Sequence, residues 1–347
     1  MKKWSEEAAS AVLAKEATYS DYDHLKISQK KDSMKYNPWI EAMRLRTLPV
    51  SAAGVLAGCA VALSYDNFYW LPALICLAFA LIAQIVSNFA NEYFDFKNGL
   101  DKKGRQGFRR GVTEGDIKPE TMKKVMILLM AADCILGCTL IRWGGLWLIP
   151  VGILIVLAAF AYSAGPYPLS HHGLGDEAVI VFYGIVPVMF TSYIQCGDWT
   201  GGSMAGILGE MWKMALIVSL GVGLLGANVL NVNNIRDYKD DSKVGKRTKV
   251  VIFGPKIMKL VYVLFTYCGL GLIWFGMHEA LNPWGWSGYV AIAIWCVPII
   301  LALYKFSDYH LNKVLRYTAI LLLTAIIWTI IDVLLNTRFL HSLLASL

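Results

Sequence analysis

The stretch that decides the reading is Asn228–Thr248, NVLNVNNIRDYKDDSKVGKRT, where a long apolar run ends and amides, carboxylates and basic side chains crowd into one segment. Asn233, Asp237 and Asp241 stand four residues apart, so a helix continuing through them lines all three on one face. An earlier stretch, residues 91–101, NEYFDFKNGLD, repeats the spacing with Asn91 and Asp95 and adds Asp101 after Gly99. Two Asn-x-x-x-Asp clusters, each closing an apolar segment, are therefore the constellation to explain.

The rest of the chain looks like a scaffold for them. Its 347 residues are 56% hydrophobic and 16% charged, with a mean hydropathy of +0.50, which no ordinary soluble protein shows. The apolar residues fall into blocks of about 18 to 25, the length a helix needs to cross ~30 Å of hydrocarbon. Lipid leaves backbone groups no partner but their own helix, so the expected fold is an all-α polytopic membrane protein. The net charge of +7 does not point to nucleic acid, because the basic residues sit in a few loops between apolar blocks. The seven cysteines form no CxxC pair and read as small apolar residues in packed helices.

Nine spans are expected, at 47–65, 68–90, 122–141, 144–162, 177–195, 208–234, 257–277, 284–304 and 316–336, arranged around a central cavity. Residues 1–36 are polar, lack the apolar core of a signal peptide and read as a cytoplasmic tail ahead of a membrane domain at 37–347. Pro38 to Arg46 reads as a short interfacial piece. With the N-terminus cytoplasmic, 29 of the 32 Lys and Arg residues lie on the inner side, and Trp70, Trp143, Trp147, Trp199, Trp284 and Trp286 mark the outer ends. Both clusters then open to the cytoplasm.

Carboxylates and carboxamides are hard oxygen donors suited to Mg²⁺, which is commonly held by one or two carboxylates together with substrate phosphates. Asn91, Asp95 and Asp101 from one cluster and Asn233, Asp237 and Asp241 from the other can supply two such ions. Arg105, Arg109, Arg110 and Lys118 follow the first cluster, and Lys246 and Arg247 the second, as cations for a diphosphate. A diphosphate carrying a hydrophobic chain explains why the site belongs in a membrane. The bland alternative is a solvated helix end, against which the matching pair at the mouth of an apolar bundle weighs heavily. His171 and His172 read as a solvated pair, and Asp133 and Asp332 as interfacial residues near the outer ends. For Asn88 and Asn228, metal binding and helix–helix hydrogen bonding both stay open.

These motifs resemble the UbiA-type superfamily of intramembrane aromatic prenyltransferases, and among them the 1,4-dihydroxy-2-naphthoate prenyltransferases of menaquinone biosynthesis. The similarity runs over about residues 37–336 and includes MRLRTLP around Arg44, FRRGVTEGDIKPETM from Phe108, YSAGPYPLSHHGLGD from Tyr162 and NNIRDYKDDSKVGKRT from Asn233. The naphthoate-type spacing places the third acidic position at Asp101; in the 4-hydroxybenzoate branch it falls four residues after Asp95, where this chain has Gly99. Two departures are Glu92 where many relatives carry Asp, and the adjacent Asp240 and Asp241.

The resemblance implies Mg²⁺-dependent transfer of a polyprenyl chain from polyprenyl diphosphate to an aromatic acid, with loss of CO₂ in the naphthoate branch, in a bacterial or archaeal cytoplasmic membrane. It implies Asp95 and Asp237 at the metal sites, Arg44 on the acceptor carboxylate, and Tyr162 and Asp176, in the loop between spans four and five, on the acceptor. A 4-hydroxybenzoate or homogentisate-type acceptor is the nearest alternative. A cation-coupled transporter is another class, but its acidic residues belong at mid-membrane on broken helices, away from basic loops.

Overall fold

The computed structural model describes residues 37–103, 108–195 and 209–336. The polar stretch 1–36 lies outside the described residues, as does Trp199. From Ile40 onward the described residues belong to one compact unit, helical throughout with no strand among them. The apolar helices are α1 (Leu48–Leu63), α2 (Trp70–Lys97), α3 (Pro119–Gly144), α4 (Leu148–Ser163), α5 (Gly175–Gln195), α6 (Glu210–Lys243), α7 (Pro255–Met277), α8 (Trp286–Lys305) and α9 (Leu311–Leu335).

Seven of these, α2, α3 and α5 to α9, are long and apolar enough to cross a membrane, and the chain is an integral membrane protein. The expected spans 47–65 and 144–162 are instead the 16-residue helices α1 and α4, about 24 Å long against a ~30 Å hydrocarbon core. For α1 the short length has a packing reason. Its small residues Ala53, Ala57 and Ala60 are buried between α5 and α9, so the surrounding helices, not lipid, satisfy its surface. Prolines mark the starts of α1, α3 and α7, where a missing N–H costs nothing.

α6 is the hub. Its most apolar window is 72% buried, against 17% for α3, so α6 is the core helix and α3 the rim. α6 packs closely on α7: a Cβ on Gly221 would stand 2.7 Å from the Gly269 carbonyl. Asn228 is fully buried in this seam and donates to the Tyr262 carbonyl and Thr266 Oγ1, both at 2.9 Å. Bonds of this kind contribute on the order of 1 kcal/mol each between membrane helices, which resolves the open reading of Asn228 toward helix association. On the outer faces Leu128, Ile153, Leu260, Ile294 and Leu301 are exposed, as lipid-facing residues are.

Two acidic residues depart from their expected interfacial placement. Asp133 is 7% exposed and lies midway along α3, since that helix runs from Pro119 to Gly144. Asp332 is also buried, packed against Gly285 where the α7–α8 connection folds over α9. The six described cysteines are free.

Candidate active site

Both acidic helices run past their apolar spans into the motifs, α2 to Lys97 and α6 to Lys243. Asn91 and Asp95 therefore share a helical face, as do Asn233, Asp237 and Asp241. The two helix ends close the same way. After Asp95 the chain reaches Gly99 at φ 69°, and the amides of Gly99 and Leu100 return to the Phe96 and Asp95 carbonyls. After Asp241 it reaches Gly245 at φ 74°, and the amides of Gly245 and Lys246 return to Ser242 and Asp241. Each is a Schellman cap, in which glycine takes the left-handed position that a Cβ would disfavour. The first cap folds Asp101 back beneath Asp95, with the Asp101 amide 3.4 Å from the Asp95 carbonyl. The second swings Lys246 inward.

The two ends meet at Asp95, which is fully buried. Lys246 Nζ is 3.3 Å from its Oδ2, and His171 Nε2 is 3.0 Å from its Oδ1. Asp101 pairs with Arg110 Nε at 3.4 Å. Asp237 is gripped by its neighbour Arg236 through Nε at 2.8 Å and Nη2 at 2.9 Å, while the same guanidinium donates to Asn233 and Asn312. Arg44 Nη2 donates to Asn91 Oδ1 at 2.9 Å, and Asn91 Nδ2 donates to Ser163 Oγ at 3.2 Å. Arg44 holds a left-handed backbone at φ 53°, uncommon for a residue with a Cβ and most often retained at functional positions. Glu92 is not turned to the site: its Oε1 accepts the Val112 amide at 2.9 Å and anchors the short helix Gly111–Glu114.

These groups ring the mouth of one cavity of about 600 Å³. Arg44, Asn91 and Arg110 line it from one side and Asn233, Asp241 and Lys246 from the other. Below them the wall turns apolar, with Phe79, Ile155, Phe182 and Phe190 among its residues. Tyr162 and Tyr183 also face the cavity, and both lie within electrostatic reach of Arg44.

Several expected positions move. Tyr162 closes α4 and Asp176 opens α5, so neither is a loop residue; Asp176 is buried and pairs with Lys249 Nζ at 3.6 Å. Of the basic residues expected at a diphosphate, Arg110 and Lys246 reach the cavity. Arg109 turns away to Asp116 at 2.8 Å, the side chains of Lys118 and Arg247 are exposed, and Arg105 lies outside the described residues. His171 is not solvated: its side chain is 11% exposed and bound to Asp95, and its carbonyl accepts the Arg247 amide at 3.0 Å. His172 stacks on Tyr167 at 3.7 Å between ring centres. Asn88 donates to the Met43 carbonyl and so ties α2 to the segment carrying Arg44.

Sequence reasoning missed Arg236 and Tyr183. Arg236 was visible as the cation inside the motif, three residues from Asn233 and adjacent to Asp237. Its guanidinium and that of Arg46 each lie 4.7 Å from the Phe108 ring, which holds both. Tyr183 sits on a π-helical segment, Ile180–Ile185, and bonds Ser87, a register that apolar periodicity cannot reveal.

The UbiA prenyltransferase family model matches residues 51–323. The chain belongs to that family. It is similar to 1,4-dihydroxy-2-naphthoate octaprenyltransferase of Escherichia coli, 33% identical over 255 residues that cover 72% of this chain and 79% of that protein. It is also similar to the protein of the same name from Haemophilus influenzae, 30% identical over 279 residues, covering 76% and 84%. Among solved structures, a UbiA homolog from Archaeoglobus fulgidus bound to DMAPP and Mg²⁺ superposes with a TM-score of 0.56 at 14% identity, covering 86% of this chain and all of that one. The apo UbiA homolog of Aeropyrum pernix gives 0.59 at 14% identity, covering 85% and 96%. As a member of the UbiA family this chain is a prenyltransferase, which gives the polar mouth above an apolar cavity a chemical purpose.

The oxygen donors suit a hard divalent cation. Asp95, Asp101, Asp237 and Asp241 are buried, and a buried carboxylate requires a positive partner. Side-chain cations bind three of them: Lys246 with His171, Arg110, and Arg236. Among the described residues no three His, Cys, Asp or Glu side chains stand together as a ready metal group, so the fit lies in donor chemistry and burial, not in an assembled coordination shell.

Proposed function

We propose that this UbiA-family prenyltransferase moves a polyprenyl chain from polyprenyl diphosphate to 1,4-dihydroxy-2-naphthoate, with loss of diphosphate and CO₂, to give demethylmenaquinol. The observation that carries the reading is the single cavity with Arg110, Asp241 and Lys246 at its mouth and aromatic and aliphatic walls below. A charged head and a hydrocarbon tail fit the two ends of that space. The names of the relatives in Escherichia coli and Haemophilus influenzae supply the acceptor.

In this reading Lys246 and Arg110 leave their carboxylates to bind diphosphate oxygens. Asn91, Asp95, Asp101, Asn233, Asp237 and Asp241 hold Mg²⁺, which when bound neutralises the departing diphosphate. The residues at the mouth and the apolar wall keep bulk water from the allylic carbon as the bond to oxygen breaks. Arg44, poised on Asn91, takes the acceptor carboxylate, and Tyr162 and Tyr183 orient the ring hydroxyls. The ring carbon bearing the carboxylate bonds to the prenyl carbon, and the electrons of the broken carbon–carboxylate bond return to the ring as CO₂ leaves. Asp176, held by Lys249, fixes the start of α5 beside Tyr162. The mouth faces the cytoplasm, where the basic loops lie.

The test is to incubate the purified protein with Mg²⁺, a polyprenyl diphosphate and a panel of aromatic acids, and to weigh the products. Prenylated naphthoquinol with stoichiometric CO₂ is expected. A product that retains its carboxyl group, or reaction only with 4-hydroxybenzoate, defeats the acceptor assignment.

A further inference from the structure

One acidic side chain of the cavity wall has no part in the chemistry above. Asp133 is 7% exposed, lines the cavity, and its Oδ1 has no hydrogen-bond partner among the described residues. Met126, Met130 and Gly137 share its face of α3 and line the same space. A lone carboxyl group among hydrocarbon walls in a membrane-crossing helix is costly, and such groups mark function more often than packing.

Its depth can be read along the helices. A Cβ on Gly137 would stand 3.0 Å from the Phe79 ring, so these residues share a level. Phe79 is about 18 Å along α2 from Asn91, and Asp133 is one turn, about 6 Å, nearer the mouth than Gly137. The carboxyl group therefore lies about 12 Å below the level of Asn91. An extended geranyl chain, with main-chain bonds of about 1.5 Å in zigzag, measures about 9 Å and stops short of it; farnesyl, at about 14 Å, reaches it. A tail pressed onto Asp133 excludes water from the carboxyl oxygens and returns no hydrogen bond, a penalty of about tenfold or more in affinity.

We propose that Asp133 is a specificity residue that penalises tails reaching its level and keeps them from the deeper end of the cavity around Gly137, Leu140 and Ile194. This rests on the donor being a polyprenyl diphosphate. The test compares kcat/KM for farnesyl and geranyl diphosphate, with Mg²⁺ and the aromatic acid, in the full-length protein. Asp133→Leu is expected to raise the farnesyl-to-geranyl ratio about tenfold, whereas Asp133→Asn, still polar and unpartnered, leaves it within about twofold. Asp133→Met is a second apolar replacement should leucine not fit. Turnover with an unchanged ratio in both apolar variants, or an equal rise in Asp133→Asn, overturns the assignment to Asp133 alone. A wild-type protein that uses neither diphosphate overturns it together with the reading on which it rests.

Discussion

The ends of α2 and α6 are built alike and filled differently. Both place an aspartate three positions before the cap residue, Asp95 and Asp241, and both turn on a left-handed glycine, Gly99 and Gly245. Aligned by these caps, Asp95 corresponds to Asp241 and Asn91 to Asp237. The sequence spacing alone suggests instead that Asn91 matches Asn233. The correspondence is shifted by one turn because the hydrogen-bonded helix end, not the amide at the start of the motif, is the shared part. Past the glycine the halves diverge: α2 leads to Leu100 and the carboxylate Asp101, α6 to the cations Lys246 and Arg247. One end supplies an extra acid and the other the base that reaches across to it, at 3.3 Å between Lys246 and Asp95. A duplicated helix end thus yields a cation site on one side and an anion site on the other.

The deepest cut through this pairing removes one aspartate from each cap. Asp95→Ala and Asp241→Ala are each expected to lower Mg²⁺-dependent turnover by roughly a thousandfold or more, about 4 kcal/mol of transition-state stabilisation. Withdrawing Mg²⁺ with a chelator should silence the wild type as completely, and restoring it should recover activity in the wild type but not in the variants. If either alanine variant keeps full activity, the two ends are not equivalent halves of one site.

The next test separates structure from chemistry. Asp237 is 1% exposed and its printed salt bridge is to Arg236, itself 5% exposed. Arg236→Leu leaves that carboxylate without its guanidinium and should cost about 3 kcal/mol of stability, read as a fall in melting temperature. α2 has no cation in the corresponding place beside Asn91 on its own helix, so no single change there should have a comparable effect on stability. A smaller effect is expected on the diphosphate side. Arg110→Ala and Lys246→Ala should each reduce kcat/KM for the prenyl donor by about 10- to 100-fold, with Arg109→Ala near wild type because that side chain is turned to Asp116.

Much of this was legible in the sequence because two periodicities are strong. Runs of apolar residues located each of the nine apolar helices, and the four-residue spacing placed Asn91 with Asp95 and Asp237 with Asp241. Helix length was less legible, since α1 and α4 end where loop residues turn the chain, and burial among helices leaves no mark on hydropathy. The basic residues were over-assigned for a related reason. Composition puts Arg109, Arg110, Lys118, Lys246 and Arg247 in the right loops, but only the local turns decide that Arg110 and Lys246 face inward. His171 was lost because its contact with Asp95 joins residues 76 apart in sequence.

The gentlest test exploits the shared glycines. A Cβ on Gly99 or Gly245 meets nothing within 4 Å, so alanine there adds no clash and pays only for the left-handed backbone, about 1 kcal/mol. Gly99→Ala and Gly245→Ala should therefore lower stability by the same small amount. Their kinetics should differ. Loosening the first cap displaces Asp101 and should raise the Mg²⁺ concentration needed for half-maximal rate. Loosening the second displaces Lys246 and should raise KM for the prenyl diphosphate with little change in the Mg²⁺ requirement. Equal shifts of both parameters in both variants would mean that the caps are interchangeable, and that the acid on one side and the base on the other do not divide the work.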